Sequence, residues 1–163
     1  VKMGYDTTSP ELNYALNIGF KYKHFGFNAL LQGDAMFTQY LGTTGVWTPM
    51  IGGASLSQEY YDNCWDVSST PIYPRLTSQT NNNNYRANSV WWKNVNFLKL
   101  RNIELYYQLP ERLISHINMR ECKVFVKGDN LLTFTNVKGL DPENIGTGYP
   151  TLKGINVGVS LTF

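Results

Sequence analysis

Residues 154–163 read Gly-Ile-Asn-Val-Gly-Val-Ser-Leu-Thr-Phe, an unbroken alternation of large apolar side chains with small or polar ones. Successive side chains of a β-strand point to opposite faces, so this pattern predicts a strand from about residue 153 to residue 163 with one apolar face. Residues 13–23 show the same period of two. The apolar positions of that second stretch are Tyr14, Leu16, Ile18, Phe20 and Tyr22.

Three further stretches alternate in the same way, although less regularly. The five predicted strands cover about residues 13–23, 25–37, 95–109, 122–135 and 153–163. Lys23-His24-Phe25-Gly26 separates the first two, which predicts a tight antiparallel hairpin. In the third strand the apolar phase changes near Asn102, which indicates a bulge or a change of environment along the strand, and Pro110 ends the strand. Residues 110–119 are predicted to form one or two helical turns.

The lengths of the strands and connections favour a membrane β-barrel. Each predicted strand has 11 residues or more, whereas strands of soluble proteins most often have about 5–6 residues and a tilted membrane strand needs roughly 9–11. Short connections alternate with the long ones at 38–93 and 136–151, as the short periplasmic turns and long outer loops of such barrels do. We therefore predict an all-β, antiparallel transmembrane barrel segment with long extracellular loops.

Composition alone is typical of a soluble globular protein, but membrane strands do not raise the mean hydropathy of a chain. Charged residues make up 16% of the 163 residues, and the net charge of +2 gives no electrostatic reason to expect nucleic acid as a partner. Five strands cannot close a barrel, since the smallest have about eight. We therefore expect a C-terminal part of a larger polypeptide, and we attribute the missing signal peptide to truncation.

The last strand carries a motif made of Asn156, Gly158, Leu161 and the terminal aromatic Phe163. This motif resembles the signal by which the barrel-assembly machinery recognises outer-membrane proteins of Gram-negative bacteria. An exposed terminal strand suits this role because its backbone can pair with another edge. The alternative is an ordinary strand that ends in Phe.

Taken together, the sequence resembles the SusC/RagA-type TonB-dependent outer-membrane transporters. The stretches that carry the resemblance are 97–110 (FLKLRNIELYYQLP), 124–135 (VFVKGDNLLTFT), 138–143 (KGLDPE) and the closing strand, with 30–33 (LLQG) and 73–76 (YPRL) upstream. Their combined order is specific, whereas each stretch alone is weak. Tyr106 departs from the family pattern, which commonly has Gly there.

The resemblance implies a 22-stranded barrel in the outer membrane that encloses a plug domain. It implies a SusD-type surface lipoprotein as a lid, energy delivered by TonB, and import of oligosaccharides or peptides through the barrel. This chain would supply about five closing strands and outer loops, and without the plug, the TonB-contacting segment and the rest of the barrel it cannot transport alone. The residues leave open whether the ligand is a glycan or a peptide.

Residues that could carry chemistry are few. Cys64 and Cys122 would be separated by the membrane, so we expect no disulfide between them. His24 and His116 lack metal-ligand spacing, and we find no nucleophile, phosphate loop or acid–base pair, so we expect no catalytic site, no metal and no cofactor. Asp141-Pro142-Glu143 is a turn signal first and a cation site only as an alternative.

Aromatic residues are the better candidates for recognition. Trp47, Tyr60, Tyr61 and Trp65 in the first outer loop could contact a ligand or the lid, or could pack within the loop. Trp91 and Trp92, just before the third strand, are predicted to join the aromatic girdle at the membrane interface. Lys99 and Arg101 are expected to face the lumen, or to pair with Glu104 or with a neighbouring strand.

The rival interpretation is a secreted, soluble β-sandwich that binds carbohydrate through exposed aromatic side chains. It requires the apolar faces of the strands to meet in one core, whereas the barrel requires an apolar face that contacts the lipid bilayer.

Overall fold

The computed structural model describes residues 4–41, 55–65, 67–77, 83–114, 119–145 and 149–163. The strands are β1 (Leu12–Tyr22), β2 (Phe25–Tyr40), β3 (Trp92–Gln108), β4 (Glu121–Thr135) and β5 (Gly154–Thr162), and the helices are α1 (Gln58–Asn63) and α2 (Glu111–Ile114). The strands form one open sheet in sequence order, β1-β2-β3-β4-β5. The predicted fold class, an all-β antiparallel segment of about five strands, is confirmed.

The connection between β1 and β2 is a two-residue turn made of Lys23 and His24. Lys23 has φ of 53°, in the left-handed region. Tight hairpin turns use a positive φ at the first central residue because that geometry matches the twist of the paired strands. The hairpin expected at this point is therefore present.

The register between β4 and β5 fixes which side chains share a face. Val124 lies opposite Val159, and Val126 lies opposite Val157. The pairs that alternate with these include Lys127 opposite Asn156. Directly opposed residues of an antiparallel pair project to the same side, so one face of this pair is apolar and the other is polar.

Strands β2 and β3 extend further toward the long connection than their sequence pattern indicated, ending at Tyr40 and starting at Trp92. Side-chain amides help to hold these ends. The amide oxygen of Asn96 accepts a hydrogen bond from the Met36 backbone N–H (3.0 Å), and that of Asn136 accepts one from the Asn96 N–H (2.9 Å). Asn side chains can replace backbone partners in this way, and the low strand propensity of Asn conceals such strand ends in the sequence.

The chain divides into two compact units. Unit 1 comprises Val1–Leu12, Asp34–Phe97 and Thr135–Thr151, and unit 2 comprises Asn13–Gly33, Leu98–Phe134 and Leu152–Phe163. Unit 1 contains a hydrophobic core formed by Phe37, Leu41, Tyr60, Cys64, Tyr73, Trp91, Val95, Phe97 and Val137. Much of the connection that the sequence analysis treated as a loop therefore packs around a core.

Helix α1 places the ring of Tyr60 in this core. The hydroxyl oxygen of Ser57 caps the helix by accepting a hydrogen bond from the Tyr60 backbone N–H (3.2 Å). Tyr60 is fully buried, and its hydroxyl donates to the Pro74 carbonyl oxygen over 3.1 Å. Neither helix of the described residues is long and apolar enough to cross a membrane.

We expect the change Tyr60→Ala to lower the free energy of unfolding of unit 1 by about 3 kcal/mol or more, since it removes a buried ring and leaves a cavity. The neighbouring change Tyr61→Ala removes a ring that is 43% exposed and should cost no more than about 0.5 kcal/mol. Urea titration of the purified full-length protein, followed by tryptophan fluorescence, measures the difference. Equal effects of the two changes would contradict the burial of Tyr60.

Candidate functional site

Strands β1 and β5 expose large apolar side chains on every second residue, and β4 does so near both of its ends. They are Tyr14, Leu16, Ile18, Phe20 and Tyr22 on β1, Val124, Val126, Leu132 and Phe134 on β4, and Ile155, Val157, Val159 and Leu161 on β5. Their exposed fractions range from 37% at Tyr14 to 74% at Val157. Soluble monomers rarely expose apolar side chains over so wide an area, so this face requires a non-aqueous partner.

Asp129 is the centre of a polar network on the opposite face. Its carboxylate accepts hydrogen bonds from the side-chain amides of Asn102 (2.5 Å) and Asn156 (3.0 Å), and it lies 3.3 Å from the ammonium group of Lys127. These side-chain contacts connect three strands, β3, β4 and β5, in addition to their backbone pairing. A charge on this face is therefore matched by donors rather than left in an apolar environment.

A second group of polar contacts surrounds Arg101. Its guanidinium donates to the side-chain oxygens of Gln32 and Asn130, each over 3.3 Å. Asn130 has a left-handed φ of 52°, which is uncommon for a residue other than glycine within a strand. This irregularity of β4 therefore lies beside the part of β3 where the apolar phase of the sequence changes.

Of the contacts expected for Lys99 and Arg101, those of Arg101 are with neighbouring strands, through Gln32 and Asn130, and the carboxylate of Glu104 has another partner. Glu104 instead lies 2.6 Å from the ammonium group of Lys123, which also sits 4.3 Å from the centre of the Tyr106 ring. The side chain of Lys99 is almost completely buried. The polar face therefore carries its charge in paired and ring-stacked groups.

Two aromatic rings on this face lie over glycines of the neighbouring strands. The Tyr106 ring occupies the space that a Cβ at Gly26 would need, and the Phe125 ring lies 2.5 Å from the position of a Cβ at Gly158. The large side chain at position 106, where the resembling family commonly has Gly, is thus accommodated by Gly26. Glycine here permits close approach of a ring to the backbone.

The aromatic residues of the first long connection separate into buried and exposed members. Tyr60 stacks on Tyr73 at a ring distance of 5.0 Å, and Tyr73 stacks on Trp91 at 6.2 Å. Trp91 is fully buried and donates its indole N–H to the Asn84 carbonyl oxygen over 3.0 Å. For Tyr60 and Trp91 the structure therefore favours packing, because neither ring is accessible to a ligand or to lipid.

Burial also sets the ionisation of the stacked tyrosines. Removal from water raises the pKa of Tyr73 to about 12, with a smaller contribution from the negative charge of Glu59. Burial likewise raises the pKa of Tyr60 well above its usual value. Both rings therefore remain neutral at physiological pH, and Tyr60 keeps the hydroxyl proton that it donates to Pro74.

The other recognition candidates lie at the surface. Tyr61 is 43% exposed and Trp65 is 68% exposed. Trp92 is 38% exposed, with its ring 5.1 Å from that of Tyr40. Trp47 lies outside the described residues.

The assembly-signal residues lie on or directly after β5. Leu161 pairs with Cys122, and Gly158 pairs with Phe125. Asn156 belongs to the Asp129 network, while Phe163 follows the strand and is 72% exposed. The motif thus has polar contacts on one face and apolar side chains on the other.

The remaining sequence candidates have structural contacts. Cys64 and Cys122 are free and buried. The Asp141 carboxylate accepts hydrogen bonds from the backbone N–H groups of Glu143 (3.1 Å) and Thr151 (2.7 Å), as a turn-forming residue does. The His24 ring makes an edge contact with Tyr107, and His116 lies outside the described residues. Within the described ranges, no group of three or more His, Cys, Asp or Glu side chains could hold a metal ion.

The contact between Gly158 and Phe125 can be tested on its own strand. We expect Gly158→Ala to lower the free energy of unfolding by about 1–3 kcal/mol, because the new methyl group displaces the ring. Gly154→Ala is the matched control, since the nearest atom to its Cβ is 3.9 Å away. Unfolding of the full-length protein in detergent, followed by electrophoretic mobility before and after heating, measures both. Equal stability of the two variants would show that Phe125 does not occupy this position.

No protein-family model matches the chain. A curated relative, TonB-dependent receptor P3 of Formosa agariphila, is 26% identical over an alignment of 175 positions that covers 95% of this chain and 16% of the receptor. The chain therefore spans about one sixth of the length of the relative that it matches. That proportion makes the activity of a whole receptor a matter for proposal.

Solved structures agree with this likeness. The RagAB peptide importer in its open-open state and in its closed-closed state each superpose with a TM-score of 0.71 at 24% identity. Each match covers 97% of this chain and 18% of the matched chain. A further RagAB peptide transporter structure gives a TM-score of 0.69 at 20% identity. The resemblance drawn from the sequence is thus confirmed: the chain has the fold of a barrel segment of RagA-type transporters and is similar along its length to a TonB-dependent receptor.

Proposed function

We propose that this chain is a C-terminal part of an outer-membrane, TonB-dependent transporter of the SusC/RagA type. In this role it supplies closing strands and outer loops of a barrel that imports nutrients across the outer membrane of a Gram-negative bacterium. The observation that carries the proposal is the two-faced sheet, which is apolar and exposed on one side and hydrogen-bonded and charged on the other.

The apolar face fits a lipid bilayer. Val126 and Val157 oppose each other across β4 and β5, and both are exposed. Lipid-facing and lumen-facing side chains alternate along barrel strands. With 9 to 17 residues, all five strands are long enough for a tilted crossing, which needs about 9–11.

An open sheet in lipid requires more strands. The sheet begins at β1 and ends at β5, so each of these strands has one edge without a partner from the described residues. Unpaired backbone groups in hydrocarbon cost several kcal/mol each. We therefore propose that the remaining barrel of a longer polypeptide pairs with these edges, and that its plug domain occupies the lumen.

The partners follow from the same role. A SusD-like surface lipoprotein would cap the barrel, TonB would supply energy through the missing part, and the barrel-assembly machinery would recognise Asn156, Gly158, Leu161 and Phe163. The names of the solved neighbours refer to peptide import, which supports a peptide cargo, with an oligosaccharide as the alternative. By name one relative is a TonB-dependent receptor and the other a peptide importer, which supports a function other than catalysis.

A matched pair of substitutions on β5 tests the proposal. Val157→Asp places a carboxylate on the apolar face and should greatly reduce the amount of full-length protein that is folded in the outer membrane. Ser160→Asp places the same charge opposite Lys123 on the polar face and should leave insertion close to the wild-type level. Cell fractionation and heat-dependent gel mobility measure the folded barrel.

Normal insertion of the Val157→Asp protein into the outer membrane would contradict the barrel assignment. Recovery of the wild-type polypeptide as a soluble monomer would favour the β-sandwich instead, because the apolar face would then be covered within one soluble domain.

A further inference from the structure

The backbone of Met36 has a conformation that is unusual within a strand. Its φ is 60°, in the left-handed region, although Met36 lies inside β2. Residues with a Cβ rarely adopt this region, and the apolar side chain of Met offers no local hydrogen bond that would compensate. A residue held in such a conformation stores strain and keeps it only where the surrounding contacts enforce it. The contacts of Met36 therefore show what holds it.

Two hydrogen bonds hold Met36, one from each neighbouring part of the sheet. Its N–H donates to the side-chain oxygen of Asn96 on β3 over 3.0 Å, and its carbonyl oxygen accepts a hydrogen bond from the Glu11 N–H over 3.2 Å. Glu11 directly precedes β1, which lies on the opposite side of β2 from β3. We call Met36 with these two partners the Met36 junction.

The bond from Met36 to Asn96 differs from an ordinary bond of the sheet because its acceptor is a side chain. In a regular antiparallel ladder both partners belong to the backbone, so a bond breaks only when the strands separate. The Asn96 amide can turn away by rotation about its own χ angles while the backbone of β3 stays in place. This bond can therefore open by itself.

The conformation of Met36 also sets the direction of the residues that follow it. Phe37 and Thr38 are consecutive, yet they are only 6% and 5% exposed, whereas regular alternation sends neighbouring side chains to opposite faces. The rings of Phe37 and Phe97 make an edge contact with their centres 6.4 Å apart, and both belong to the core of unit 1. A change of Met36 to an extended conformation would rotate Phe37 out of this contact.

We infer that the Met36 junction is a two-state switch for the end of β2. In the closed state, which the structure shows, Asn96 holds Met36 in the left-handed conformation and Phe37 lies in the core. In the released state the Asn96 amide has turned away, Met36 is extended and Phe37 has left the core. The strain at Met36 favours release and the contacts of Phe37 oppose it, so the switch opens without unfolding of the whole protein.

This inference rests on contacts within unit 1 and does not depend on the proposed function. In the proposed barrel β2 leads into the first outer loop, so release would change the direction in which the chain enters that loop. The backbone hydrogen bond from the Leu41 N–H to the Trp91 carbonyl oxygen (2.8 Å) lies directly beyond β2. It gives a second position at which the released state can be observed.

Hydrogen exchange of the full-length protein in detergent, followed by mass spectrometry, tests the switch. In the wild-type protein a peptide that covers residues 34–41 should exchange through a local opening, so its rate should depend little on added urea. A peptide that covers residues 122–129, where β4 pairs with β5, is the reference and should depend strongly on urea. Equal urea dependence of the two peptides would overturn the inference, because the end of β2 would then open only by global unfolding.

A matched pair of substitutions at Asn96 tests the holding bond. Asn96→Ala removes the acceptor and should raise the exchange rate of the 34–41 peptide about fivefold or more, with the 122–129 peptide unchanged. Asn96→Asp keeps a side-chain oxygen that accepts the bond from Met36, and it should change the rate less than about twofold. Equal effects of the two substitutions, or a matching rise in the 122–129 peptide, would overturn the inference.

Changes at Met36 test the strain itself. Met36→Gly removes the Cβ that disfavours the left-handed region and should slow exchange of the 34–41 peptide severalfold, whereas the branched side chain of Met36→Val should accelerate it. The double variant Met36→Gly with Asn96→Ala should exchange more slowly than Asn96→Ala alone. Faster exchange of Met36→Gly than of Met36→Val would overturn the inference. Heat-dependent gel mobility verifies that each variant is folded, and a wild-type protein that forms no barrel would count against the proposed function alone.

Discussion

The pairing of β4 with β5 is the constraint on which the functional interpretation depends. Once Val124 faces Val159 and Val126 faces Val157, the pleat sends the intervening residues to the other side, and a slip of one residue would exchange the two faces. The contact between Asp129 and Asn156 reinforces this register, because it requires the polar positions of the two strands to coincide. Backbone pairing and side-chain chemistry thus specify the same arrangement.

Glycine gives the polar face its surface shape. Because Gly158 has no side chain, the Phe125 ring occupies the adjacent space and can lie close to the backbone. Tyr106 does the same over Gly26, with the Lys123 ammonium group on its ring and Glu104 beside that charge. Within unit 2 these contacts give the polar face a surface of flat rings and paired charges.

The period-two pattern of the sequence predicted the sheet, but it gave no sign of the hydrophobic core of unit 1. Strand β5 could be identified from Ile155 to Leu161 because alternation is a local signal. Helix α1 could not, since its six residues have too few turns to show a period and its stability comes from contacts of Tyr60 with Pro74 and Tyr73, which are distant in sequence. For the same reason the sequence treated Tyr60 and Tyr61 alike, although only one of them is buried.

The buried rings also determine how firmly the segment that carries α1 is held. Moving this segment away from the rest of unit 1 would expose Tyr60, Tyr73 and Cys64, all of which are buried in the core. Exposing even one large aromatic side chain costs about 1.5–3 kcal/mol, and the stacked rings would have to separate together. The segment that carries α1 is therefore held in place by its packing in the core of unit 1 rather than by its own six-residue helix.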